Sequence, residues 1–124
     1  MHGRLGAMHL LGLPGNPVSS VVCAILFLVP AIRALLGDPA AADDPAEAAV
    51  LGRDLPVNDT RQDYLRATLD RSADGLPVAT PLPKQDSSML GVLAEAGCLI
   101  VRPPHAPPAQ EGESCRIIDL DRFC

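Results

Sequence analysis

Gly12-Leu13-Pro14-Gly15-Asn16-Pro17-Val18-Ser19-Ser20 compresses a strand end, a tight turn and a helix start into one short run. The preceding Met8-His9-Leu10-Leu11 reads as a short apolar strand. Pro14-Gly15 is a turn dipeptide, because proline fixes φ and glycine tolerates positive φ. Asn16 is a good N-cap, and Pro17 falls at the first helical position, where a missing N–H costs nothing. Ser19 and Ser20 then lie in the first turn, beside backbone N–H groups that have no helical partner. Such a turn is suited to a phosphate or another oxyanion. The same serines also serve a plain strand–turn–helix connection, as caps.

Downstream, residues 17–36 are the only long helical candidate. Val21 to Ile32 is apolar throughout, and Pro30 should kink this helix or divide it in two. The apolar run falls well short of the ~20 residues that span a bilayer. A helix apolar all round must be buried on most sides. Gly37 supplies a C-cap, and Asp38-Pro39 prevents continuation. One short strand cannot cover this helix. The expectation is therefore that residues 1–37 are the tail of a larger α/β domain that begins upstream, with Met1 an internal methionine or a misplaced start.

Residues 38–47 hold Asp38, Asp43, Asp44 and Glu47 among alanine and proline, and read as a solvated linker. Residues 48–124 carry a different pattern. Ala49-Val50-Leu51 begins a strand expected to end near Pro56, and Asp63 to Asp70 alternates as the next. Ser72-Ala73-Asp74-Gly75 is a hairpin turn. Leu76 to Leu82 is the return strand, which Pro77, Pro81 and Pro83 should confine to an edge or irregular position. Ser87 to Ala96 predicts one short helix. Cys98 to Val101 is an apolar strand, Glu111-Gly112-Glu113 a turn, and Cys115 to Leu120 a final strand. Five short strands around one helix predict a small β-barrel or rolled sheet.

Composition narrows the function classes. A net charge of -5 leaves no basic stripe for nucleic acid. Phe27, Tyr64 and Phe123 are the only aromatic residues, too few for base-stacking platforms. Cys23, Cys98, Cys115 and Cys124 form no C-x-x-C pair, and no signal-peptide pattern opens the chain. Free thiols in a reducing cytoplasm are expected. A zinc site needs a closer ligand cluster than these cysteines or His2, His9 and His105 offer along the sequence. His105, in a proline-rich loop, reads as solvent-facing.

Taken whole, residues 12–20 resemble a motif near the end of the cofactor-binding domain of molybdopterin molybdenumtransferases, the MoeA and gephyrin E-domain family. The second half resembles the same family along its length. Thr60-Arg61-Gln62-Asp63-Tyr64-Leu65-Arg66 stands where the family's C-terminal β-domain opens a hairpin, and Gln85-Asp86-Ser87-Ser88-Met89-Leu90 stands at the helix start. The Cys98–Val101 strand and the Gly-Glu turn follow in order.

The resemblance implies a C-terminal portion of an enzyme that inserts molybdate into adenylylated molybdopterin and releases AMP in a magnesium-dependent step. It implies an α/β tail followed by a barrel-like domain and a cytoplasmic homodimer, while the acidic composition and the short apolar run leave no nucleic-acid or membrane partner expected. Gly15, Asn16, Pro17, Ser19, Arg61 and Ser87 are its implied substrate-binding residues. Arg61 would hold a phosphate or molybdate oxyanion through its planar fork of donors. Arg61, Asp63 and Arg66 are also spaced to make surface ion pairs, and Ser87 or Asp86 to cap a helix. Two features depart from the family pattern: Thr60 replaces glycine, and Asp86 adds negative charge beside Ser87. The family's Gly-Gly-x-Ser-x-Gly phosphate loop and its magnesium-binding acidic residues are absent, so residues outside this chain would bind Mg2+ and the chain alone is expected to be inactive. The alternative reading is a non-catalytic binding or scaffold module built on the same C-terminal domain.

Overall fold

The computed structural model describes residues 2–13, 15, 17–71, 75–83 and 96–123. The chain divides into two compact units, which part between Asp44 and Pro45.

In the first unit, β1 (His2–Leu5) and β2 (Met8–Leu11) form an antiparallel hairpin. Gly6, at φ +60, makes its tight turn. β2 forms where the apolar run places it, whereas β1 carries no apolar alternation and is recruited by its partner.

The helix expected over 17–36, with a kink or break at Pro30, forms with its irregularity just before that residue. Helical residues run as α1 (Pro17–Cys23), a π-helical turn (Ala24–Leu28) and α2 (Val29–Leu35). Pro30 is the physical reason. It has no N–H for the carbonyl of Leu26, and its ring would clash with that carbonyl, so the preceding turn widens. The N–H of Val29 accordingly reaches the oxygen of Ala24, five residues back.

At the other end, Gly37 at φ +85 closes α2. Its N–H donates to Ala34 and that of Asp38 to Arg33, the reciprocal pair of a Schellman cap. Asp38 also accepts from the Ala40 N–H at 2.9 Å and from Arg33 Nε at 2.7 Å, which hold its carboxyl below the usual range. Val22 and Ile25 are buried, but Phe27, Ile32, Leu35 and Leu36 remain exposed, so much of the apolar surface is uncovered.

The second unit is a closed five-stranded barrel of β3 (Glu47–Leu51), β4 (Asp63–Asp70), β5 (Val78–Pro81), β6 (Cys98–Arg102) and β7 (Ser114–Asp119), in the order β3-β5-β4-β6-β7. Only β3 and β5 run parallel. A short 3-10 turn, Leu120–Phe123, follows β7. The barrel, β4 and the β6 and β7 positions follow the sequence pattern closely. The helix expected over 87–96 and most of the turn at 72–75 lie outside the described residues.

Two expectations are corrected here. β3 ends at Leu51 rather than near Pro56, and Leu55 meets Ala109 through an isolated bridge instead. β5 is not an edge strand, because it pairs with β3 on one side and β4 on the other. Its prolines are tolerated because they supply carbonyls rather than N–H donors: Pro77 accepts from the Val50 N–H at 2.9 Å.

Alternating residues fill the interior. Ala49, Ala67 and Ala79 are small enough for a narrow barrel, and Leu51, Ile100 and Ile117 fill the remaining space, all almost wholly buried. Leu55 closes the end from which the 52–62 loop departs.

Candidate functional site

Arg61 stands in the loop that climbs from β3 to β4, and its side chain is exposed. That loop carries the barrel's polar framework. Asn58 Nδ2 lies within hydrogen-bond reach of the carbonyls of Arg61 (2.9 Å), Arg102 (3.1 Å) and Pro103 (2.8 Å). The Asn58 N–H donates to Ala106, and the Leu55 and Ala109 backbones exchange two bonds. Arg102, at the end of β6, is 9% exposed and donates from Nη2 to Pro56 and Pro107. These contacts tie the Arg61 loop to the proline-rich 103–110 loop. His105 sits in the latter with its side chain exposed and φ at 57, its N–H donating to Asp59.

Beside this framework lies an open groove of about 360 Å³, lined by Arg53, Leu55, Asn58, Asp63, Leu82 and Arg102 among others. Its charge is mixed. Arg102 is engaged by carbonyls, and among the described residues Arg53 and Arg61 on the 52–62 loop are exposed cations. Sequence reading missed Asn58 and Arg102, whose contact spans 44 residues and leaves no local signal.

Arg66, whose spacing also suited a surface ion pair, is buried rather than at the surface. It is 8% exposed and donates from Nη1 to the Tyr64 carbonyl at 3.2 Å. Ion pairs among the described residues include Arg71 with Glu47 and, at 2.7 Å, with Asp119, and Arg33 with Asp38.

Gly15, Pro17 and Ser19 belong to the first unit and Arg61 to the second. Asn16 and Ser87 lie outside the described residues. Ser19 and Ser20 are half-buried in the first turn of α1, which carries no acidic residue of its own. Among the described residues, no three His, Cys, Asp or Glu side chains gather as metal ligands.

Cys23, Cys98 and Cys115 are free thiols. Burial pushes Cys98 up to about 12 and raises Cys115 as well, so neither is a nucleophile at neutral pH. No helix among the described residues is long and apolar enough to cross a membrane.

Comparison with known proteins places this architecture. Residues 48–120 match the family model of the MoeA C-terminal region, domain IV. The chain is 36% identical over 125 residues to molybdopterin molybdenumtransferase 1 of Mycobacterium tuberculosis, and 31% identical over 118 residues to molybdopterin molybdenumtransferase 2 of the same organism. Each match covers 95% of this chain but only 28% of the relative's length. In fold, it is similar to a molybdopterin biosynthesis MoeA protein from Pyrococcus horikoshii, with a TM-score of 0.71 and 22% identity over 95% of this chain and 28% of that one. A molybdenum cofactor biosynthesis protein from Pyrococcus furiosus gives 0.58 and 23% identity, covering 83% of this chain and 35% of that one. The model spans most of the barrel unit, and the two mycobacterial relatives extend the match through residues 12–20: the chain belongs to the MoeA family, with its barrel as the domain IV region.

Proposed function

We propose that this chain serves molybdenum cofactor biosynthesis as the C-terminal portion of a cytoplasmic, homodimeric molybdopterin molybdenumtransferase. The observation that carries the proposal is the family match over residues 48–120. The molybdenumtransferase relatives match 95% of the chain, the turn at 12–20 included.

The substrates in this reading are molybdate and adenylylated molybdopterin, both anionic. The chain's contribution is to bind and orient them. Backbone N–H groups at the start of α1, flanked by Gly15, Asn16, Pro17 and Ser19, suit an oxyanion. Arg61 offers a planar, permanently charged fork of donors on a loop anchored at Asn58. Ser87 adds a hydroxyl. Magnesium in this reading is bound mainly by residues outside this chain, and the chain alone releases no AMP.

A chimaera tests the proposal. This chain replaces the matching C-terminal part of the M. tuberculosis molybdopterin molybdenumtransferase 1 in a host lacking its own enzyme. Restored molybdoenzyme activity supports the reading. A folded, expressed chimaera that restores none overturns it.

A further inference from the structure

Residues 56–62 carry the chain from the Leu55–Ala109 bridge to β4 with no strand or helix of their own. Arg61 stands near the end of that stretch. Among the described residues, one hydrogen bond ties it down, from Asn58 Nδ2 to its carbonyl oxygen at 2.9 Å. The neighbouring bonds, from the Thr60 N–H to Asp59 and from Gln62 Nε2 to Tyr64, do not reach it. The same Asn58 nitrogen meets the carbonyls of Arg102 at 3.1 Å and Pro103 at 2.8 Å, so its two hydrogens serve three acceptors. Asn58 is itself held from the facing loop, where its backbone N–H donates to Ala106 at 2.9 Å. Its half-buried side chain thus joins the backbone of Arg61 to the end of β6.

We propose that Asn58 is a positioning residue for Arg61, fixing its backbone so that the exposed guanidinium is presented to an anionic substrate. The proposal rests on the reading of Arg61 as an oxyanion contact. Its physical basis is preorganisation. An arginine on an unanchored loop must order backbone and side chain together on binding, whereas a fixed backbone leaves only the side chain to order. Asparagine suits the task because one uncharged atom supplies two donors; serine has one, and an ionised aspartate has none and would set a carboxylate beside Arg61. The substrate's charge is present before the reaction, so the effect falls on KM rather than kcat.

Two measurements test this. In the full chain, NMR relaxation should show the order parameter of the Arg61 N–H falling from about 0.85 to below about 0.6 in Asn58→Ala, with that of Ile100 in β6 unchanged. In the chimaera, Arg61→Ala identifies which KM depends on Arg61, that for molybdate or that for adenylylated molybdopterin. Asn58→Ala should raise the same KM about tenfold with kcat within about twofold. The double variant should be no worse than Arg61→Ala alone, whereas a role confined to stability would multiply the two losses. Circular dichroism checks folding, and Asn58→Ser, which keeps one donor, replaces Asn58→Ala if that variant does not fold. Unchanged KM values in Arg61→Ala contradict the oxyanion reading and the proposal with it. A raised KM in Arg61→Ala beside an unchanged one in Asn58→Ala, multiplied losses, or an unchanged order parameter overturns the role of Asn58 alone.

Discussion

Arg102 Nη2 donates to the carbonyl oxygen of Pro56 at 2.8 Å, from a side chain that is 9% exposed. A second bond reaches Pro107 at 2.9 Å. One guanidinium thereby fixes two loops that hold the rim of the groove. Charged hydrogen bonds contribute about 1.5–3 kcal/mol each, so losing both in Arg102→Leu should lower stability by about 3–6 kcal/mol. Arg102→Lys keeps the charge but not the planar fork, and should recover only part of the loss. Urea unfolding checks both, as a lower midpoint at unchanged slope. A midpoint equal to wild type in Arg102→Leu would refute the latch.

Gly52 offers a second test, in the close approach of β3 to β5. A Cβ there would lie 2.1 Å from Thr80 Oγ1 and 3.1 Å from Val78 Cγ1. Gly52→Ala should cost about 1–3 kcal/mol through overpacking. Removing the hydroxyl in Gly52→Ala/Thr80→Ala should return a good part of that, giving a measurable coupling between the two positions. Strict additivity would contradict the geometry.

Cys98 sets a pH dependence. Its thiol is wholly buried, and burial raises it from 9.0 to about 12. The folded state therefore holds this proton more tightly than the unfolded chain. The associated stability is complete below pH 9 and declines as pH rises toward 12. Thiol alkylation at pH 8 should label Cys98 only as the barrel opens, after the half-buried Cys23. Equal labelling rates in the native protein would count against the packed interior.

How much of this was legible beforehand depends on the range of the interaction. β2, β4, β6 and β7 are carried by local signals: apolar alternation and turns such as Gly112, at φ +92. Closure of the barrel is not local. β5 sits between two strands because β3 and β4 each supply partners, and its prolines, read alone, argued for an edge. The burial of Arg66 and the Asn58–Arg102 contact likewise depend on segments distant in sequence. β1 was illegible for a related reason. The exposed Arg61 was found through family resemblance, since its local sequence equally suits a surface ion pair.

Arg61 separates function from stability. Its side chain is exposed, and its carbonyl, not its guanidinium, supports the loop. Arg61→Ala should leave the urea midpoint unchanged. In the chimaera it should slow molybdate insertion by about 10–100-fold, the worth of one charged hydrogen bond to an anion. Arg61→Lys should rescue poorly, because an ammonium lacks the fork. An unfolding midpoint that falls with activity would assign Arg61 a structural role instead.

The most direct test of the central claim is AMP release from adenylylated molybdopterin and molybdate, followed in parallel for this chain alone and for the purified chimaera. No release by the chain alone and turnover by the chimaera are the expected results. A folded chimaera that releases no AMP, or release by the isolated chain, would contradict it.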